Sequence, residues 1–91
     1  MNIIICGAGR VGFSISKQLS AQGHSITVID QSSEFIQKIN DTQDVKGFVG
    51  RATFPSVLEK AGAKDADMII AVTQNDETNM VICQVAYSIF K

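Results

Sequence analysis

The feature that most constrains this chain is its opening. Ile3-Ile4-Ile5-Cys6 runs straight into Gly7-Ala8-Gly9-Arg10-Val11-Gly12, and apolar residues at helical spacing follow. A short isoleucine-rich run reads as a buried strand. The string G-x-G-x-x-G is weak by itself and gains meaning when it joins such a strand to a helix inside a βαβ unit. There Gly7 allows a tight turn, Gly9 lets the backbone approach a diphosphate, and Gly12 lets the helix pack close to the sheet. The N–H groups of Gly9 through Val11, together with the helix dipole, favour an anion. The bland alternative is a glycine-rich turn without chemistry.

The remaining sequence alternates strand and helix. Val11, Ile15 and Leu19 fall on one face of a helix that stops near Gly23. Residues 25–29 form a second strand ending at Asp30. A helix over about 33–40 follows, with Ser32 as N-cap and Phe35, Ile36 and Ile39 facing inward. Residues 45–49 are a third strand. Pro55 opens a third helix, whose inner face is Val57, Leu58 and Ala61 and whose stop is Gly62. Residues 67–72 are a fourth strand, and Asp76 and Glu77 begin a helix running to Lys91. Continuous apolar strands joined by helices imply a parallel sheet covered on both faces. The expected fold is α/β: one Rossmann-like, doubly wound domain over residues 1–91, with strand order 3-2-1-4. The first two helices then cover one face and the last two the other. A crevice opens between the carboxyl ends of strands one and four.

Charge narrows the function. Eight basic residues against nine acidic ones leave no cationic surplus for a nucleic-acid backbone or a polybasic membrane anchor. The longest wholly apolar run covers only residues 68–72, far short of the ~20 residues a spanning helix needs. The N-terminus has no basic region and no small-residue cleavage site, so a secretion signal is not expected. Cys6 and Cys83 match no zinc or disulfide spacing and read as two buried thiols in a reducing cytoplasm. His24, the single histidine, reads as a loop residue at a helix end.

Asp30 stands 18 positions after Gly12, at the end of the second strand. A carboxylate there accepts from both ribose hydroxyls of an adenosine and repels a 2′-phosphate, which disfavours NADP. It does not separate NAD from ATP or ADP, and a turn residue or cap is the alternative. Arg10 has two readings, a guanidinium folded over phosphate oxygens or a solvated cation on the helix rim. Arg51, in the loop after the third strand, either stacks on a base, reaches a phosphate or is a surface residue. Thr73 and Gln74 begin a polar second rim that extends to Asn79, within which Asp76 reads as a helix cap.

These residues resemble a known family. The stretch IIICGAGRVG at 3–12 is similar to the start of the regulatory nucleotide-binding domains of potassium channels and transporters, the RCK N-terminal or KTN domains. ITVID at 26–30, VLEKAGAKDA at 57–66 and DADMIIAVTQNDETNMVICQVAY at 65–87 fit the Trk-type potassium-uptake branch, and AVTQNDETNM is the most specific of them. The resemblance implies a module that binds NAD or NADH, and in relatives ATP or ADP, without transforming it. It implies a diphosphate loop at Gly7, Ala8, Gly9, Arg10 and Val11, a ribose acid at Asp30, and a distal-ribose contact at Thr73 and Gln74. The position of Gln74 is often Asn in the family. The implied partner is a membrane-embedded potassium transporter subunit, reached from the cytoplasmic side without membrane insertion. The implied assembly is a homo-oligomer, a dimer within a tetrameric whole.

A complete fold of this kind has about six strands, and this sequence supplies four before a last helix that lacks a Gly or Pro stop. That helix is apolar nearly all round, through Met80, Val81, Ile82, Cys83, Val85, Ala86, Ile89 and Phe90. The expectation is the front portion of a longer polypeptide, which covers its fourth strand and last helix by forming a symmetric dimer. Two other functions compete. One is the dinucleotide-binding half of an NAD-dependent oxidoreductase, which needs a proton donor that neither His24 nor Tyr87 is placed to supply. The other is a fold fragment that binds nothing.

Overall fold

The computed structural model describes residues 1–90, with side chains through residue 88. The extension of the last helix to Lys91, and the part of Ile89 and Phe90 in its apolar surface, lie outside the described residues. The elements are β1 (Asn2–Cys6), α1 (Arg10–Ala21), β2 (Ser25–Asp30), α2 (Ser33–Thr42), β3 (Lys46–Val49), α3 (Pro55–Lys60), β4 (Met68–Ala71) and α4 (Asp76–Phe90), with a 3₁₀ turn at Ala63–Asp65. The strands form one parallel sheet in the order β3-β2-β1-β4, the Rossmann-like order expected from the alternation. Ile3 pairs with Ile26 on one side and Met68 on the other, so β1 is central and hydrogen-bonded along both edges.

The two-residue period of β1 builds two cores. Ile3 and Ile5 point to the side covered by α1 and α2, where they join Ile26, Val28, Ile36 and Ile39. Ile4 and Cys6 point to the side of α3 and α4, where they meet Ile29, Leu58 and Ile82. This division is why a strand of continuous apolar residues belongs in the middle of a covered sheet.

Several helix faces differ from the periodic expectation. Val11 is 56% exposed and not part of the core. The buried residues of α1 are instead Gly12 and Ser16, because the helix lies so close to the sheet that only small side chains fit directly beneath it. Ser16 Oγ meets both the Phe13 carbonyl at 2.9 Å and Gln43 Oε1 at 2.7 Å, while Gln43 Nε2 donates to the same carbonyl at 3.0 Å. That bridge ties α1 to the end of α2. Ser32 caps α2 as expected, its hydroxyl accepting from Phe35 N–H at 3.2 Å. Phe35 itself is 44% exposed rather than inward. Asp76 does not cap α4: Asn75 does, its Oδ1 accepting from Thr78 N–H at 2.8 Å. On α4, Ile82 is buried while Met80, Val81 and Cys83 are exposed. The expectation of two buried thiols therefore fails at Cys83. No described helix is long and apolar enough to cross a membrane.

Candidate functional site

The carboxyl ends of all four strands open on one crevice of about 450 Å³, within the range of small-molecule sites. Its lining brings together Gly7, Gly9, Asp30, Arg51, Thr73 and Gln74 from the residues singled out in the sequence. Ala8, Arg10, Val11 and Gly12 do not line it. Ala8 is buried, Arg10 and Val11 are exposed on the first turn of α1, and Gly12 is packed beneath that turn.

The three glycines are held for different reasons. Gly7 has φ 122°, and a Cβ there would come within 2.8 Å of the Val72 carbonyl oxygen. At Gly12 a Cβ would lie 1.7 Å from the Gly7 carbonyl oxygen, so no side chain fits. Gly9 is unlike both. Its φ of −71° and ψ of −161° suit any residue, and a Cβ would meet only the Phe35 ring edge at 3.8 Å. The protein's own packing therefore asks for no glycine at position 9. A methyl group there would instead occupy space at the N-terminus of α1, where free amides collect.

Asp30 fixes the loop from the other side. One carboxylate oxygen accepts from Ala8 N–H at 2.7 Å and the other from Ser32 N–H at 2.7 Å. Each oxygen has a further lone pair for a ligand hydroxyl. The main chain continues the same lattice: Gly7 N–H donates to the Ile29 carbonyl at 2.8 Å, and Gly50 N–H donates to the Asp30 carbonyl at 2.9 Å. Gly50 thus sets Arg51 at the β3 end of the crevice. Among the described residues no carboxylate pairs with Arg10 or Arg51.

The opposite rim is built on side chains. Thr73 N–H donates to Asn79 Oδ1 at 2.9 Å, Asn79 Nδ2 donates to the Thr73 carbonyl at 3.1 Å, and the Thr73 hydroxyl lies 2.5 Å from Asn79 Oδ1. Gln74 is exposed next to it. Sequence reasoning missed Gln31 and Phe35 as crevice-lining residues; it placed Thr78 and Asn79 on the polar rim without giving either a role of its own. Only the capping pattern of Asn75 had a local signal. The floor includes Cys6, whose thiol is pushed up to about 12 by burial and by its neighbour Cys83. Among the described residues no cluster of His, Cys, Asp and Glu could hold a metal ion.

The residues fit a nucleotide diphosphate. A cradle that a Cβ would fill, a helix N-terminus, the Arg51 side chain and a carboxylate with spare lone pairs converge on one cleft, with Arg10 exposed on the turn outside it. The TrkA-N domain model matches residues 3–91, nearly the whole chain. The chain belongs to the TrkA-N domain family. It is 48% identical over 90 residues to the Trk system potassium uptake protein TrkA of Azorhizobium caulinodans, covering 99% of this chain and 20% of that protein. This TrkA-N domain therefore spans about a fifth of the length of that relative. The Shewanella denitrificans Kef CTD in AMP-bound form superposes with a TM-score of 0.86 at 31% identity, over 99% of this chain and 54% of the other. The NAD(P)-binding domain of an exopolyphosphatase-related protein from Archaeoglobus fulgidus matches with a TM-score of 0.84 at 21% identity, over 96% and 65%. At that identity it speaks for the fold alone.

Proposed function

We propose that this TrkA-N domain binds an adenine nucleotide, chiefly NAD or NADH with ATP and ADP as further ligands, and regulates a membrane potassium transporter without changing that nucleotide. The observation that carries this is Gly9, a glycine the fold does not need, whose missing Cβ leaves room for a diphosphate opposite Asp30. The N–H groups of Gly9 through Val11 hold the diphosphate, with Arg10 and Arg51 neutralising it. Asp30 takes the adenosine ribose hydroxyls, and Thr73 with Gln74 meets the second ribose of a dinucleotide. The same carboxylate would stand against the 2′-phosphate of NADP. The Trk names of the relatives and the AMP-bound Kef neighbour support the assignment.

Regulation works by differential affinity. Two arrangements of paired domains respond to ligand only if one binds it more tightly, and a near-complete switch takes on the order of 10⁴-fold. The paired form is a homodimer through the exposed apolar face of α4, within a larger assembly on the cytoplasmic side of its transporter. Light scattering should give twice the chain mass, and a clean monomer at high concentration would remove that assembly. Calorimetry with NAD, NADH, ATP and ADP tests the ligand. Saturable binding with intact nucleotide recovered by chromatography is expected. Failure to bind any of the four, or oxidation of NADH that depends on an added carbonyl compound, would overturn the assignment.

A further inference from the structure

Asn79 is a side chain the nucleotide assignment does not use, yet it shapes one wall of the crevice. Its amide pairs with both main-chain groups of Thr73, donating from Nδ2 to the carbonyl at 3.1 Å and accepting at Oδ1 from the N–H at 2.9 Å. Only one orientation of the amide satisfies both, so the network fixes which end is oxygen. This pairing stands in for a neighbouring strand just after β4 ends at Ala71. The Thr73 hydroxyl is drawn into it as well. Its single proton has two acceptors inside the rim, Asn79 Oδ1 at 2.5 Å and the Asn75 carbonyl at 3.1 Å. Asn75 N–H in turn donates to the hydroxyl oxygen at 3.3 Å, leaving that oxygen one lone pair.

A hydroxyl whose proton is already committed can accept from a ligand but not donate to one. It suits a ribose hydroxyl and offers nothing to a phosphate oxygen. We propose that Asn79 is the positioning residue that makes the β4 rim an acceptor for sugar hydroxyls and so favours dinucleotides over mononucleotides. This rests on the nucleotide assignment above. Adenosine and diphosphate are common to NAD and ADP, and only the second ribose of NAD reaches Thr73. The effect of Asn79 must therefore show in the ratio of the two affinities.

The test is calorimetry of NAD and ADP on the 91-residue chain and on Asn79→Ala and Asn79→Asp. Removing the amide should lower the NAD-to-ADP affinity ratio about 5-fold, the size of one well-placed neutral hydrogen bond. Asn79→Asp keeps the acceptor for the Thr73 N–H and hydroxyl, and should hold the ratio within about twofold of the parent. An equal loss for both ligands in Asn79→Ala would mean a merely structural role and overturn the proposal. An unchanged ratio would do the same. If the parent chain binds neither nucleotide, it is the nucleotide assignment that fails. Should Asn79→Ala not fold, the ratio in Thr73→Val decides. That variant keeps both main-chain bonds to Asn79 and loses only the hydroxyl, so a ratio like the parent's would equally overturn the role given to the rim.

Discussion

Along the β1–α1 wall of the crevice the backbone is shaped by side chains that are missing; along the β4–α4 wall it is shaped by side chains that are present. The first wall follows from hard-sphere contacts at Gly7 and Gly12. The second follows from three hydrogen bonds between Thr73 and Asn79. Steric walls tolerate no substitution and need no partner. Hydrogen-bonded walls survive partial replacement and can rearrange when a ligand offers a competing group.

The hardest blow to the steric wall is Gly12→Ala. A Cβ 1.7 Å from the Gly7 carbonyl oxygen forces α1 off the sheet. The expected loss is about 3 kcal/mol, at the upper end for overpacking. Urea titration followed by circular dichroism measures it. A loss below about 1 kcal/mol would mean that α1 shifts freely and that its close approach does not shape the loop.

Asp30→Ala comes next and strikes where the two kinds of support meet. The carboxylate holds Ala8 N–H and Ser32 N–H, so its removal frees two amides, at a cost of about 2 kcal/mol for bonds to a charged acceptor. The same variant should weaken ADP and NAD alike, because the lost ribose contact is common to both. A folded Asp30→Ala chain with parental affinity would leave Asp30 a loop clamp only.

The sheet order and the division of helices between its two faces were readable from the sequence, because the isoleucine run of β1 and the glycine string each admit few solutions. The place of Asp30 at the end of β2 was readable as well, since its distance from the glycines is set by one βαβ unit. The placement of Phe35 was not. Helical periodicity grouped it with Ile36 and Ile39, whereas the ring is half exposed and lines the crevice. Val11 misled for a related reason: close packing at Gly12 turns the face of α1 toward small residues. Asn79 was hidden because its partner is a backbone six residues back, and no local pattern distinguishes a polar residue that pairs with a strand end from one that faces water.

Gly9→Ala sharpens the comparison by separating stability from binding. Its backbone angles accept alanine, so the substitution should leave the fold unharmed or raise stability by about 0.5 kcal/mol through a stiffer unfolded chain. Nucleotide affinity should nevertheless fall on the order of tenfold, since the new methyl group stands where the diphosphate approaches the loop amides, about 1.4 kcal/mol of lost contact. Opposite signs in thermal melting and calorimetry are the expected signature. Parental affinity in a stable Gly9→Ala chain would mean that the anion does not sit on this loop.

The smallest effect concerns the floor between the walls. Cys6 closes β1 beneath the crevice, while Cys83 lies on the exposed surface of α4. Burial, aided by the nearby Cys83, pushes the Cys6 thiol from 9.0 up to about 12. The folded chain thus keeps its proton at a pH where the unfolded chain has already released it. Below about pH 9 both states hold the proton and Cys6 leaves stability unchanged. From there toward 12 the unfolded state binds fewer protons, so stability falls as pH rises. Urea midpoints at pH 8 and pH 10 should show this decline, and Cys6→Ala should flatten it. At pH 8 iodoacetamide should label Cys83 alone in the native chain and both thiols after unfolding. Rapid native labelling of Cys6 would show that the floor opens to solvent and that the two walls move apart without ligand.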